Sequence, residues 1–397
     1  MHLSRRSLLA LGASVVLAAC SDSDRNAQTT ATTEYDPLPR PALSGAEPYS
    51  GAFPFTLGVA AGDPDPHRVV LWTRLAPDPL QSDGGMDDRS YVVTWEIALD
   101  EEFSEATFVG ATVAEARFAH SVHVDVTELE PAVSFWYRFR AGPHVSAVGR
   151  MAAMPLFTMP DTVTVAAVSG GSPATHGPLY DDVASAAPDL VLFSGDYTGG
   201  GRSDTLADYR SGYAQALLNR ELQAARAAAP WLVAHDARQI TTDAARQAWW
   251  EHSPVRLPPP SPGEVLITYR HCVVGSLVDL IIVDPRVEGS GRVRLGKEQE
   301  RWLSREAADT TVIWHAVAGS GDMKVRERAR KLLTSRGAEN PIDLDPVAAS
   351  AAVATWHRHV FTPETWTTTR RSVDPASGVV AVTDEATMQA RPSAPST

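Results

Sequence analysis

Two stretches place a carboxylate where chemistry can happen. "DLVLFSGD" ends in Asp196 and "PWLVAHD" ends in Asp236, and each is a short apolar run of the kind that forms a buried strand. An acid at the mouth of a sheet is a cation ligand, because divalent metals take carboxylate oxygen. His176, His235, Asp243 and His315 are the other available donors. Imidazole and carboxylate together suit one zinc or manganese ion. The same region offers a second chemistry. Gly199-Gly200-Gly201-Arg202 follows Asp196 and Tyr197, and Arg238 follows Asp236. Backbone N–H groups and guanidinium hold phosphate without any metal. Each aspartate also has a structural reading, as a helix cap or the closure of a turn at a strand end. Ser169 and Ser172 lie near His176, but no Gly-x-Ser-x-Gly elbow separates a strand from a helix, which sets a serine hydrolase aside.

The elements that must position these groups alternate from residue 162 onward. "TVTVAAVSG", "DLVLFSGD", "PWLVAHD", "VLITYRHCVVGSLVDLIIVDPR" and "TVIWHAVAG" read as strands. "LYDDVASAA", "LADYRSGYAQALLNRELQAARAA", "TDAARQAWWEHS" and "GKEQERWLSREAA" between them read as helices. That alternation predicts an α/β layered domain, whose chemistry gathers at the carboxyl edge of the strands. Asp196, Asp236 and His315 each fall at or near a predicted strand end. Residues 53–155 read differently, as short runs such as "VVLWTRL", "YVVTWEIAL" and "SFWYRFRAG" between turn signals, which predicts a β-sandwich. "LEPAVSFWYRFRAG" resembles the Leu-x-Pro…Tyr signature of fibronectin-like sandwiches, with the tyrosine bracing a corner. Phe135, Trp136 and Tyr137 are expected in the core.

The chain of 397 residues carries a net charge of −13, with no basic cluster, which excludes nucleic acid as a partner. Its first residues, "MHLSRRSLLALGASVVLAAC", join a charged start, a short apolar run and small residues before a cysteine. Leu8 to Ala19 is too short to span a bilayer as a stable helix. Arg5 and Arg6 resemble a twin-arginine export signal, and Leu17-Ala18-Ala19-Cys20 resembles a lipobox whose cysteine takes the lipid. The expected location is therefore the outer face of the cytoplasmic membrane, at the cell surface or in the periplasm, with the bilayer as a partner through acylated Cys20. Residues 21–50 read as a tether. Cys272 is then left without a partner and is expected as a small buried residue.

"FTLGVAAGDPDPHRVVLWTRLAP", "SVHVDVTELEPAVSFWYRFRAG", "RQAWWEHSPVR", "SLVDLIIVDPR" and "LGKEQERWL" together resemble the PhoD-like alkaline phosphatases and phosphodiesterases, over residues 53 to 345. The resemblance implies an α+β fold in two domains: an N-terminal fibronectin-like β-sandwich followed by an α/β/β/α metallophosphoesterase-like sandwich. The expected boundaries are a signal peptide at 1–20, a tether at 21–50, the N-terminal domain at 51–158, the phosphatase-like domain at 160–385 and a tail at 386–397. It also implies a centre of two metals, iron and calcium, that would activate water.

The family's ligand positions fall unevenly on this chain. Its iron-binding cysteine matches Gly170. Its Gly-Asp-Tyr-x-Tyr keeps Gly195, Asp196 and Tyr197, but the second tyrosine, an iron ligand, is Gly199. Its Trp-Asp-Asp-His-Glu matches His235-Asp236-Ala237-Arg238-Gln239, and its last aspartate and histidine match Val347 and Ala349. Thiolate, phenolate, carboxylate and imidazole are thus missing from four separate elements. Arg238 puts a fixed positive charge where a dication would sit. The expectation is a catalytically degenerate member with no cofactor, retaining Asp196, Tyr197, Asp236 and Arg238 as residual site positions. It would bind a phosphate-containing ligand or a surface protein. The alternative is an active enzyme holding a divalent metal through Asp196, Asp236, His176, His235 and His315.

Overall fold

Residues 53–155 form strands because β-branched and aromatic residues recur there between turns. The computed structural model describes residue 38 and residues 42–388, apart from 157–161, 170–172, 197, 199–204, 236–238, 288–292, 310–311, 313, 320–322, 336–340, 344–349, 358–365 and 374–379. The N-terminal strands are β1 (Glu47–Pro48), β2 (Val59–Gly62), β3 (Val69–Arg74), β4 (Tyr91–Ala98), β5 (Ala106–Ala114), β6 (Ser121–Val126), β7 (Ser134–Ala141), β8 (His144–Val145) and β9 (Gly149–Ala152). Then come β10 (Thr162–Ser169), α1 (Pro173–Ala186), β11 (Leu190–Ser194), α2 (Leu206–Leu217), α3 (Arg220–Ala228), β12 (Pro230–Ala234) and α4 (Asp243–His252). After them lie β13 (Arg270–Val274), β14 (Val278–Ile282), β15 (Arg286–Val287), β16 (Val293–Arg294), α5 (Lys297–Asp309), β17 (Trp314–Ala318), α6 (Met323–Ser335) and β18 (Pro341–Asp343). Three last strands follow, β19 (Ser350–His357), β20 (Trp366–Val373) and β21 (Val380–Met388). The single helix expected over 206–228 is two, because the Asn219 side chain accepts the Leu222 N–H at 2.8 Å and starts α3 afresh.

The N-terminal strands do not close a separate body. β1, β4, β5, β7, β8 and β9 make one sheet, but β2, β3 and β6 belong to the long sheet β21-β20-β19-β10-β11-β12-β2-β3-β6. β2 runs parallel to β12, with Ala61 opposite Pro230 and Gly62 opposite Trp231. A side chain at Gly62 would sit 2.0 Å from the Pro254 carbonyl, so only glycine lets these backbones meet. Every residue of β2 and β3 is buried, as a strand covered on both faces requires. One face packs Val59, Val69 and Leu71 against Val93, Tyr137 and Phe139 of the N-terminal sheet. The other packs Ala60 and Trp72 with the helices α1–α4. The sandwich therefore shares one of its sheets with the downstream domain, and the boundary expected at 158–160 does not divide the sheet.

Strand β7 alternates, burying Phe135, Tyr137 and Phe139 and turning Trp136 to the other face, where it is half-buried. Trp136 is thus not in the core. The Tyr137 hydroxyl has no hydrogen-bond partner among the described residues, so it does not brace a corner. Downstream, Val165, Leu192 and Leu232 of the long sheet meet Val278, Leu280 and Ala316 of the sheet β13-β14-β17-β18. The far face of that second sheet packs Ile281 and Val317 on Trp302, Leu303, Ala329 and Leu333 of α5 and α6. Helices, two sheets and helices make four layers.

Candidate functional site

Three parallel strands define the edge. Ser169 pairs with Ser194 and Ser194 with Ala234 across β10, β11 and β12, so the carboxyl ends of the three strands lie level. In the second sheet β14 and β17 are parallel, with Ile282 opposite Ala318. One bond links the two edges, Ser194 Oγ donating to the Gly319 carbonyl at 3.1 Å, while Gly195 N–H continues the β11–β12 pairing by donating to the Ala234 carbonyl at 3.2 Å. Gly319 has φ 157°, and a Cβ there would lie 2.5 Å from Val283 Cγ2, so the close approach of the chain leaving β14 to the chain leaving β17 excludes a side chain.

Asp196 sits at this edge, half-buried, with both carboxylate oxygens engaged. Oδ1 accepts the Thr198 N–H at 2.8 Å and Oδ2 accepts the Thr198 hydroxyl at 2.5 Å. This is an aspartate closing a turn on its own chain. His235, the residue after β12, is buried, and its Nε2 lies 2.8 Å from Thr268 Oγ1 and 3.1 Å from Asp284 Oδ1, with the Trp249 ring edge-on. Asp284 organises this corner. Burial alone would raise its pKa, but the His235 bond, the Arg286 guanidinium and the Thr268 N–H outweigh it and hold the carboxyl below its ordinary range. Gln299 clamps the Asp284 backbone from both sides, at 2.9 and 2.7 Å.

Asp284 was not singled out from the sequence. Its signal was there: "LIIVD" is an apolar run ending in an acid, the same pattern as "VLFSGD" and "WLVAHD".

The other expected donors are dispersed. His315 is buried as the second residue of β17, three residues before the carboxyl edge; at ~3.3 Å per residue it is roughly 10 Å short of it. That is a correction to its expected place at a strand end. Asp243 opens α4 in solvent, where its carboxylate takes Arg246 and the Gly263 N–H; these bonds hold it below the ordinary carboxylate range. The Gly263 bond comes first. His176 lies within α1, but its side chain falls outside the described residues, as do Tyr197, Asp236, Arg238, Cys20, Arg5 and Arg6. Cys272 is buried and unpaired by disulfide, and burial pushes its thiol far up, which makes it inert.

A cavity of about 200 Å³ opens at this edge, lined by His235, Asp284, Arg246, Arg286, Ile240 and Leu266 among others. The Arg246 guanidinium reaches the carbonyls of Ile240 and Thr241 at 3.3 Å, and its Nε is buried with no hydrogen-bond partner among the described residues. Arg286 donates to Asp284 at 2.6 Å and to the Leu266 carbonyl at 2.8 Å.

This donor set does not fit the two-metal centre that the resemblance implies. Among the described residues no group of three or more His, Cys, Asp or Glu is placed to hold a metal ion. The positions that the resemblance sets against the family's ligands, 170, 199, 237, 238, 347 and 349, carry Gly, Gly, Ala, Arg, Val and Ala. Losing a group that only supports a ligand typically costs ~10–100-fold in affinity or activity; on that resemblance the ligand types themselves are missing.

Two family models match the chain, the N-terminal domain of the PhoD-like phosphatases over residues 41–155 and the PhoD-like phosphatase model over 235–333. Alkaline phosphatase D of Bacillus subtilis (strain 168) is 34% identical over 331 residues, 69% of this chain and 57% of that protein. The chain belongs to the PhoD-like phosphatase family. It spans little more than half the length of this curated relative. A solved structure of PhoD superposes with a TM-score of 0.73 at 26% identity, covering 85% of this chain and 90% of that one. Purple acid phosphatase PPD1 from yellow lupin seeds superposes with a TM-score of 0.52 at 10% identity, over 83% of this chain and 74% of that one, a likeness of fold alone. The interval 156–234, which carries Asp196, lies between the two matched stretches.

Proposed function

We propose that this PhoD-like protein is exported and lipid-anchored, has lost its phosphoesterase centre, and binds a phosphate-type anion at the sheet edge without a metal. The observation that supports the loss is the state of the edge donors. Both Asp196 oxygens close a local turn, His235 Nε2 is tied to Thr268 and Asp284, and the family's other ligand positions hold side chains that cannot ligate. A bridging carboxylate needs oxygens free to face two cations. Arg246 and Arg286 at the cavity supply the chemistry that recognises an oxyanion.

The test is metal content of the purified protein together with hydrolysis of a chromogenic phosphodiester under several added metals. The expected result is substoichiometric metal and no turnover, with orthophosphate binding weakened at least tenfold in R246Q. Stoichiometric metal with a rate abolished by D196N would restore the active enzyme, with Asp196 and Asp236 as its carboxylates. Export and anchoring rest on Arg5, Arg6 and Cys20; incorporation of labelled palmitate, lost in C20S, checks them.

A further inference from the structure

The N-terminal half carries an open groove that the site above does not use. β5 pairs only with β4, and β6 only with β3, among the described residues, so each strand ends its sheet. Between them lies a groove of about 360 Å³, walled by Thr107–Thr112 and His123–Glu128, with Trp95 and Leu38 completing it. Trp95 lies so close over Gly110 that a Cβ there would be 2.3 Å from its ring. An edge strand leaves a row of backbone N–H and C=O groups without partners, and proteins usually guard it with charge or proline. β5 reads ATFVGATVA, with neither, and Val109 is 69% exposed.

One residue of the incoming chain already sits in this groove. Leu38 lines it and donates its N–H to Asp125 Oδ2 at 3.2 Å. Leu38 stands between Pro37 and Pro39, so it holds the only backbone N–H of the three. Its acceptor is fixed: the Asp125 carboxylate also takes Arg68 and, at 3.2 Å, Arg256 Nε. The stretch before it, Thr32-Thr33-Glu34-Tyr35-Asp36-Pro37, favours extended backbone through its threonines and tyrosine. Period two puts Thr33 and Tyr35 on one face and Glu34 and Asp36 on the other. An apolar-leaning face toward the groove and an acidic face toward water is the pattern an edge-covering strand requires.

We propose that residues 32–37 of this chain lie in the groove between β5 and β6 and cover the β5 edge. Tethering at Leu38 gives this segment an effective concentration in the millimolar range, well above that of a second molecule in dilute solution. The segment thereby guards an edge whose own sequence lacks guards.

Hydrogen–deuterium exchange of the full chain tests this. Amides over Thr107–Ala111 are expected to exchange slowly in the parent and at least tenfold faster in T33G/Y35G. Equal rates in the two proteins overturn the proposal. So does protection that grows with protein concentration and survives T33G/Y35G, because a second copy would then be the occupant.

Discussion

The seam that joins β2 to β12 and the carboxyl edge of the same sheet treat charge in opposite ways. At the seam, Asp63 is 5% exposed, yet its oxygens accept Arg270 Nε at 2.8 Å, Arg270 Nη2 at 2.7 Å and the Arg256 N–H at 2.7 Å. Arg256 goes on to Asp65 at 3.0 Å and Asp125 at 3.2 Å, and Arg270 to the carbonyls of Thr268 and Val233 at 2.9 Å. Each charge is matched by an opposite one and by further hydrogen bonds, the condition under which burial of ions is tolerated. At the edge, Asp196 closes a turn on Thr198 and His235 is tied to Thr268 and Asp284, and among the described residues no three acids, histidines or cysteines are placed to hold a metal ion. At the seam, ionic pairing holds β2 and the loops around it to the downstream strands.

The strongest way to break that contrast is at Asp63. Its φ of 42° is one that non-glycine residues seldom adopt, so the network holds the backbone as well as the charges. Asp63→Ala strands Arg270 and the Arg256 N–H in a dry seam. Loss of one partner of a buried pair is expected to cost about 3–5 kcal/mol, read as a lower urea midpoint. Loss of folding in the N-terminal strands should drag the downstream sheet with it in one transition, because β2 and β3 extend that sheet. Two separate transitions, or a cost under about 1 kcal/mol, would show that the seam is not a structural joint.

How much of this could be read from residues alone follows the same division. Apolar runs ending in an acid located β11 and β12 and their shared edge, because strand length and burial are local properties. The parallel pairing of β2 with β12 joins residues far apart in sequence and leaves no local mark, beyond the fact that "VVLWTR" is apolar without alternation. The apolar run around His315 is a strand as its pattern predicts, but period two cannot tell the start of a strand from its end. Asp284 matches none of the ligand positions that the resemblance supplies, and its pairing with His235 and Arg286 is a tertiary contact that leaves no local mark in the sequence.

A second measurement sharpens the seam side. His123 on β6 stacks on Trp250 of α4 at 4.1 Å between ring centroids, with Nε2 2.9 Å from the Ser253 carbonyl. Burial pushes its pKa down to about 4. The unfolded chain, with histidine at about 6.5, therefore binds more protons between those values. Stability present above pH 6.5 is lost as the pH falls toward 4, by at most about 1.4 kcal/mol per pH unit. His123→Phe keeps a ring against Trp250 and removes the titration. Its urea midpoint should fall less steeply than the parent's over that interval; parallel curves would assign the acid sensitivity elsewhere.

The smallest expected effect lies at the edge, and its smallness is what discriminates. Asn at position 196 keeps a side-chain oxygen to accept the Thr198 N–H, and its amide can donate to the Thr198 hydroxyl, so the turn survives with one bond reversed. Asp196→Asn should shift stability by less than about 1 kcal/mol in either direction, and orthophosphate affinity should rise slightly or stay level as one negative charge leaves the edge. A carboxylate shared by two cations behaves otherwise, since its loss removes bound metal and with it the stability that metal supplies. A large fall in melting temperature for D196N that added chelator reproduces in the parent would therefore mean that Asp196 holds a cation after all. A melting temperature that neither the substitution nor the chelator moves would leave the carboxylate with the turn as its task.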